Sequence, residues 1–316
     1  MLQKLKENKR VGVVILTHNG QDNIKGCLDS LLKNRAKMQI IVVDNNSKDK
    51  TPKLLREYPS IVTTINRRKN DGYANSNNLG IRYLLKKKCD YILLLNDDTV
   101  VNKNLISRLT TLLEKKKDVG IVSPTIAYYK HPRKIWFAGG KFNRTFCFTQ
   151  HVKMGDDVES STNSYTDFVT GCSMMIRSSV FKKVGLLDRR FGYYFEDLDF
   201  CLKAYDKGFL TYVLKQSLVL HKVSATTGEI GSNLMTPLRS YFFARNPFII
   251  IKSFSNPLLQ MSQTLGQFCI RLSYYVITFL RTGMYISLYW YFRGLYEGLI
   301  FLLTGRLFKH KIKEIK

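Results

Sequence analysis

Three short stretches carry residue types able to do chemistry: Asn96-Asp97-Asp98 after the apolar run YILLL, Glu196-Asp197 after a cluster of aromatics, and His221 closing KQSLVLH. Neighbouring carboxylates repel each other, so Asp97 and Asp98 together imply a positive partner. Two readings fit them. Asp98 or Thr99 suits the cap of a following helix; equally, Mg²⁺ or Mn²⁺ is held by one or two carboxylates together with substrate phosphates. A fourth stretch, Asp44-Asn45-Asn46-Ser47, ends another apolar run. Its carboxylate suits the ring N–H of a uracil or thymine, with the amides and hydroxyl near a ribose, yet the same string is ordinary turn chemistry. Glu196, Asp197 and Asp199 open a helix, where the dipole favours carboxylates. The aromatics before them (Phe191, Tyr193, Tyr194, Phe195) would desolvate a base and raise its pKa. A lone histidine such as His221 reads either as structural or as a ligand.

The elements that must position these residues alternate in the first half of the chain. Apolar runs at 11–16, 39–44, 61–65 and 91–95 read as strands, and the segments 22–33, 51–58, 74–88 and 102–116 as helices, the second with Pro52 at its first turn. Such alternation predicts an α/β fold with an open, mostly parallel, doubly wound sheet. Ligands of such sheets bind beyond the carboxyl ends of the strands, where Thr17-His18-Asn19, Asp44 and Asp97-Asp98 all stand. Further on, 172–177 reads as a strand, 178–184 as a helix, and 215–222 as a strand delivering His221. No GxGxxG and no GxxxxGK[ST] occurs, so neither a dinucleotide fingerprint nor a P-loop is expected.

Fifty Lys and Arg against 24 Asp and Glu give a formal charge of +26, which suits an anionic membrane surface, nucleic acid or phosphorylated substrates. Helix-turn-helix spacing, zinc-finger spacing and RNP-type aromatics are all missing, so nucleic acid is not an expected partner. Six scattered cysteines without CxxC point to a reducing compartment. The apolar run after MLQKLKENKR ends too soon for a signal peptide and reads as the first strand.

Taken in order, VVILTHNGQDNIKGCLDSLL, IIVVDNNSKDKT, DGYANSNNLGIR, YILLLNDDTVV, VTGCSMMIRSSVFKKVGLLD, FEDLDFCLKAYDKG and His221 resemble the family 2 glycosyltransferases of GT-A fold, particularly their rhamnosyltransferase-like branch. YFFARNP (241–247) is similar to the Arg-Asn segment that follows the core in that branch. The resemblance implies that Thr17, Asn19, Asp44 and Asn46 hold the base and ribose of a nucleotide, with Asn78 near its sugar. Asn96-Asp97-Asp98 stands at the DxD position, which makes Asp98 the principal ligand of Mg²⁺ or Mn²⁺ and His221 the second. It also places Asn96 and Asp97 beside the donor, Asp197 as general base and Glu196 as its acidic neighbour. Two departures stand out: Asn96 replaces the first DxD acid, and Asn75-Ser76 replaces a glycine pair.

The reading is an inverting, divalent-metal-dependent transferase moving rhamnose or another hexose from a dTDP- or UDP-sugar to a lipid-linked saccharide. Residues 1–232 would form the catalytic domain, with the nucleotide-sugar half at about 1–125 and the acceptor half at about 126–232. Residues 233–316 would form an amphipathic helical region rich in Lys, Arg and aromatics. Its charge-free runs fall short of the ~20 residues a spanning helix needs. It is therefore expected to lie on an anionic membrane, peripheral on the inner face of the plasma membrane, or to pair with a second subunit. Arg293, Gly294, Glu297 and Gly298 share a stripe expected to face protein, leaving Tyr289, Trp290 and Phe292 outward. A sugar nucleotidyltransferase shares strand-end acids but wants a basic, Gly-rich phosphate loop that VILTHNGQDN lacks. A silent membrane-bound scaffold would have no use for Asp98, Asp197 and His221 together.

Overall fold

The structure, a computed structural model, describes residues 9–58, 62–223, 235–308 and 315. The boundary at 232/233 and the basic tail from Lys309 to Lys313 lie outside the described residues, as does Lys316. The first half follows the alternation. It contains β1 (Val11–Thr17), α1 (Ile24–Leu32), β2 (Met38–Asp44), α2 (Thr51–Leu55), β3 (Val62–Asn66), α3 (Tyr73–Lys86) and β4 (Tyr91–Asn96). β3, β2, β1 and β4 lie side by side and parallel, so their carboxyl ends share one edge of the sheet. The near-continuous apolar strands are buried because helices cover the sheet. α3 sits close on β1, since a Cβ at Gly80 would lie 2.5 Å from Val14 and one at Gly12 an equal distance from Leu84.

The next segment departs from expectation. The helix expected from 102 begins later, as α4 (Leu105–Lys115), and it is preceded by β5 (Thr99–Val101). Thr99 is therefore in a strand and caps nothing. β6 (Val119–Tyr128) is buried along its whole length although Pro124 stands mid-strand. Proline cannot donate to a ladder, and the partner strand accommodates it with register shifts around Leu214 and Ser217, opposite Pro124 and Thr125. β7 (Ile135–Phe137) pairs with β6, and β8 (Gly140–Asn143) with β9 (Phe148–His151) make a separate hairpin. β10 (Ser164–Tyr165), β11 (Ser173–Arg177), α5 (Ser178–Val184), α6 (Glu196–Asp206) and β12 (Leu210–His221) complete the core. β11 runs antiparallel between β4 and β6, while β12 runs parallel to β6. The sheet is thus α/β and mixed, mostly parallel, as GT-A folds are.

The C-terminal part is helical: α7 (Pro237–Phe254), α8 (Pro257–Gly266), α9 (Ser273–Thr282) and α10 (Tyr285–Thr304), with a π-helical stretch at Gln267–Leu272 joining α8 to α9. α10 lies against α7 through its small residues. A Cβ at Gly294 would meet the Tyr241 carbonyl oxygen at 2.3 Å, and one at Gly298 would meet Phe248 at the same distance. Glu297, buried between them, accepts from the Tyr241 hydroxyl (2.7 Å) and pairs with Arg293 (2.6 Å). The stripe faces protein. Tyr289 and Phe292 are exposed, but Trp290 packs edge-on against Tyr241 and is not wholly outward. Among the described residues no helix is long and apolar enough to cross a membrane.

Candidate active site

The short strand β5 decides the geometry of the acidic pair. It leaves β4 through the Asn96-Asp97-Asp98 turn and pairs antiparallel with β12, Thr99 opposite His221. The Asp98 carbonyl accepts from the amide of Lys222 (2.9 Å), which locks the two strand ends together. As a result His221 Nε2 lies 3.1 Å from Asp98 Oδ2, across 123 positions of sequence, with both side chains buried. Burial disfavours a charged imidazole. The Cys172 sulfur and the Asp98 carboxylate beside it outweigh that and hold the His221 pKa well above the ordinary value. Trp136 closes the far side, its ring edge-on to His221 at 4.2 Å between centroids.

Asp97 is held differently. Its Oδ2 accepts from the Thr17 hydroxyl at 2.5 Å. Burial, and then the charge of Asp98, push its pKa up to about 7. Gly20 makes this approach possible, since a Cβ there would lie 2.3 Å from both Asp97 Oδ2 and Thr17 Oγ1. Thr17, one of the residues expected at the nucleotide, thus donates its hydroxyl proton to Asp97. The loops after β1 and β2 are stitched to one another: the Asn19 amide donates to Ser47 Oγ (2.9 Å), Asn19 Oδ1 accepts from the Lys48 amide (2.8 Å), and Asp44 Oδ1 accepts from the Ser47 amide (3.0 Å). Asn46 stands half-buried at their tip with φ +68°, and Asn96 is half-buried at the end of β4. Asn78 stands on α3. It is buried, and its amide exchanges two hydrogen bonds with the Leu187 backbone (2.8 and 3.1 Å), so it ties α3 to the loop after α5.

Glu196 and Asp197 begin α6 as expected, and their environments differ. Glu196 is buried, and among the described residues its Oε2 has no hydrogen-bond partner. Desolvation, reinforced by Asp197, holds its pKa well above the carboxylate range. Asp197 is half-buried and accepts two backbone amides, Gly171 at 3.1 Å and Leu198 at 2.8 Å. Desolvation raises its pKa, and those amides work against the rise. Gly171 ties the acid to the strand ends. Its neighbour Cys172 accepts from the Asn96 amide (3.0 Å) and lies against His221. Tyr73 donates to the Gly171 carbonyl (2.8 Å) and so completes this wall.

The donor set can be tested for a cation. Adjacent corners of an octahedron with bonds of about 2.1 Å stand about 3.0 Å apart. The 3.1 Å between His221 Nε2 and Asp98 Oδ2 therefore admits a small divalent ion against both. Among the described residues no cluster of three or more His, Cys, Asp or Glu is arranged to hold a metal. The other corners would fall to water and substrate phosphate, the usual situation for Mg²⁺.

The model of glycosyl transferase family 2 matches residues 12–185, more than half of the chain, from β1 to the end of α5. The chain belongs to that family. A dTDP-rhamnosyl transferase of Shigella flexneri, RfbF, is 23% identical over 262 residues, covering 80% of this chain and 83% of that one. The mannosyltransferase PcManGT of Pyrobaculum calidifontis, solved with GDP-Man and Mn²⁺, superposes with a TM-score of 0.56 at 14% identity over 94% of this chain and 88% of that one. TarS 1-349 of S. aureus superposes with a TM-score of 0.55 at 14% identity, over 93% and 83%. At such identities the superpositions speak for the fold.

Within this family 2 glycosyltransferase, sequence reasoning missed Gly20, Tyr73, Asn70 and Trp136. Gly20 had a signal, a small residue in a loop beside acids. The other three had none, because each matters through a partner remote in sequence. Asn70 Oδ1, for example, accepts from Asn45 (2.7 Å), Tyr193 (2.8 Å) and the Gly72 amide (3.1 Å).

Proposed function

We propose that this family 2 glycosyltransferase moves rhamnose or another hexose from a dTDP- or UDP-sugar to a lipid-linked saccharide. The reaction is inverting and depends on Mg²⁺ or Mn²⁺, and it serves cell-surface polysaccharide synthesis at the inner face of the plasma membrane. The observation that carries this reading is the meeting of Asp98 and His221 at the strand ends, with Asp197 hung from Gly171 beside them. The similarity to a dTDP-rhamnosyl transferase over four-fifths of the chain makes dTDP-rhamnose the first donor to try.

Asp98 and His221 would hold the cation, and Asp44, Asn19 and Asn46 the nucleoside. When bound, the cation supplies Lewis-acid and electrostatic stabilisation of the charge that grows on the departing diphosphate. His221 can ligate only after losing its proton, so cation affinity falls as pH falls. Asp197 takes the proton of the acceptor hydroxyl as that oxygen attacks the anomeric carbon opposite the leaving group. A single displacement of this kind inverts the configuration. Glu196 suits the base role less well: a buried carboxyl that keeps its proton cannot accept another.

Thermal shift with UDP-glucose, dTDP-rhamnose and their nucleoside diphosphates, each with Mn²⁺ or with EDTA, tests the reading. A donor-dependent rise in Tm is expected only with the metal, and Asp98→Ala should abolish it. Full turnover in EDTA would remove the metal from the mechanism.

A further inference from the structure

The loop between Asp188 and α6 has a backbone that its residue types resist. Gly192 has φ +71°, and the two residues directly before Glu196 follow it into the left-handed region: Tyr194 at +65° and Phe195 at +72°. Large aromatic side chains rarely occupy that region, and such conformations persist only where the surroundings over-determine them. What over-determines this one comes from α7. Asn246, fully buried, donates through Nδ2 to the carbonyls of Phe191 (3.0 Å), Tyr193 (2.7 Å) and Tyr194 (2.8 Å). Its own oxygen accepts from Arg245 (2.9 and 2.6 Å). The same arginine, also buried, donates to the carbonyls of Arg190 (2.7 Å) and Phe191 (2.8 Å). A carboxamide suits this place, since its NH2 offers two N–H donors, one of them shared between two of the three carbonyls, while its oxygen accepts from a guanidinium. The loop's other side is fixed to the donor half. The Gly192 carbonyl accepts from the Tyr73 amide (2.8 Å), and the Tyr193 hydroxyl reaches Asn70, which also holds Asn45 at the end of β2.

We infer that Arg245 and Asn246 are positioning residues for the transfer reaction: they impose the left-handed turn at Tyr194-Phe195 and so aim Asp197, making α7 part of the catalytic apparatus. The inference rests on the reading of Asp197 as the base. Neither residue touches substrate; both act through the loop. A misplacement of the order of 1 Å in a reacting group costs about 10²-fold in rate. Asn246→Ala should therefore lower the kcat for nucleoside diphosphate release by about 10²-fold, while the affinities for dTDP and UDP with Mn²⁺ stay within about twofold, because the strand-end ligands are untouched.

The test uses the full chain. Turnover with dTDP-rhamnose and UDP-glucose, calorimetric binding of dTDP and UDP with Mn²⁺, and amide hydrogen exchange are measured for the wild type, Asn246→Ala, Arg245→Lys and Asp197→Asn. Exchange should rise in residues 190–199 in both clamp variants and stay at wild-type protection in β1, β2 and β4. Arg245→Lys keeps the charge and loses the fork, and it serves if Asn246→Ala fails to fold. Wild-type kcat in a clamp variant whose loop exchanges faster overturns the inference. So does a kcat that falls only in step with nucleotide affinity, since the pair would then be structural. An active Asp197→Asn brings down the base reading instead, whatever the clamp variants do.

Discussion

At the scale of single residues, the two acids at the head of α6 differ in what burial has done to them. Glu196 is buried, and among the described residues its Oε2 has no hydrogen-bond partner, whereas Asp197 is half-buried and bonded to two amides. Asp197→Asn should keep nucleotide binding and lose at least about 10²-fold in turnover, the usual contribution of a general base. The sign of the pH dependence follows from the raised pKa. A base acts deprotonated, so kcat should be full above that pKa and fall as pH drops through it. The asparagine variant should lose this acidic limb from its residual rate. If Glu196→Gln were inactive and Asp197→Asn active, the roles would be exchanged. The candidate residues could be singled out at this scale because they stand beyond the carboxyl ends of apolar strands, where ligands of such sheets bind, and because Asp97 and Asp98 are adjacent like charges. The partners they found were not. Nothing in the sequence ties Thr17 to Asp97, or the Asn78 amide to the backbone of Leu187.

The elements divide in the same way. β1 to β4 and their helices could be read because each carries its own period, apolar run or helical face, and needs no partner to be recognised. β5 could not: three residues hold no period, and the strand exists only because β12 arrives beside it. Yet this strand is what brings His221 to Asp98. β6 was hidden by Pro124, which argues against a central strand until the bulge opposite it is seen. The helical part was legible in its faces. Gly294 and Gly298 mark the buried stripe of α10, and the structure places both against α7. Gly298→Val would press a branched side chain into Phe248, two positions from Asn246. Overpacking of this kind costs about 1–3 kcal/mol. The Tm should fall accordingly in a melt of the purified protein, whereas Leu303→Ala on the exposed side of the same helix should stay within about 0.5 kcal/mol of wild type. Equal melts for the two would mean that α7 and α10 do not pack as described.

For the molecule as a whole, the +26 charge and the outer face of the C-terminal helices remain to be joined to function. Along α10, Tyr285, Tyr289 and Tyr296 are each more than half exposed, and along α8 and α9 so are Leu258, Met261, Leu265 and Tyr274. Aromatic rings suit the headgroup level of a bilayer, and each Lys or Arg near an anionic surface adds about 1 kcal/mol. Arg281 is exposed on α9, and Arg306 is exposed just past the end of α10. The lipid-linked acceptor proposed for this enzyme would be confined to the bilayer, so an enzyme resting there would meet it in two dimensions. Deleting α8–α10 would be a poor probe of this, because α10 covers the helix that carries Arg245 and Asn246. Substitutions on the outer face leave that packing intact. The wild-type chain should co-sediment with phosphatidylglycerol vesicles and less so at high salt, while Tyr285→Ser, Tyr289→Ser and Tyr296→Ser combined should bind several-fold more weakly with an unchanged Tm. Dimer dissociation by the same triple variant, with vesicle binding intact, would instead assign the face to a second copy of this chain.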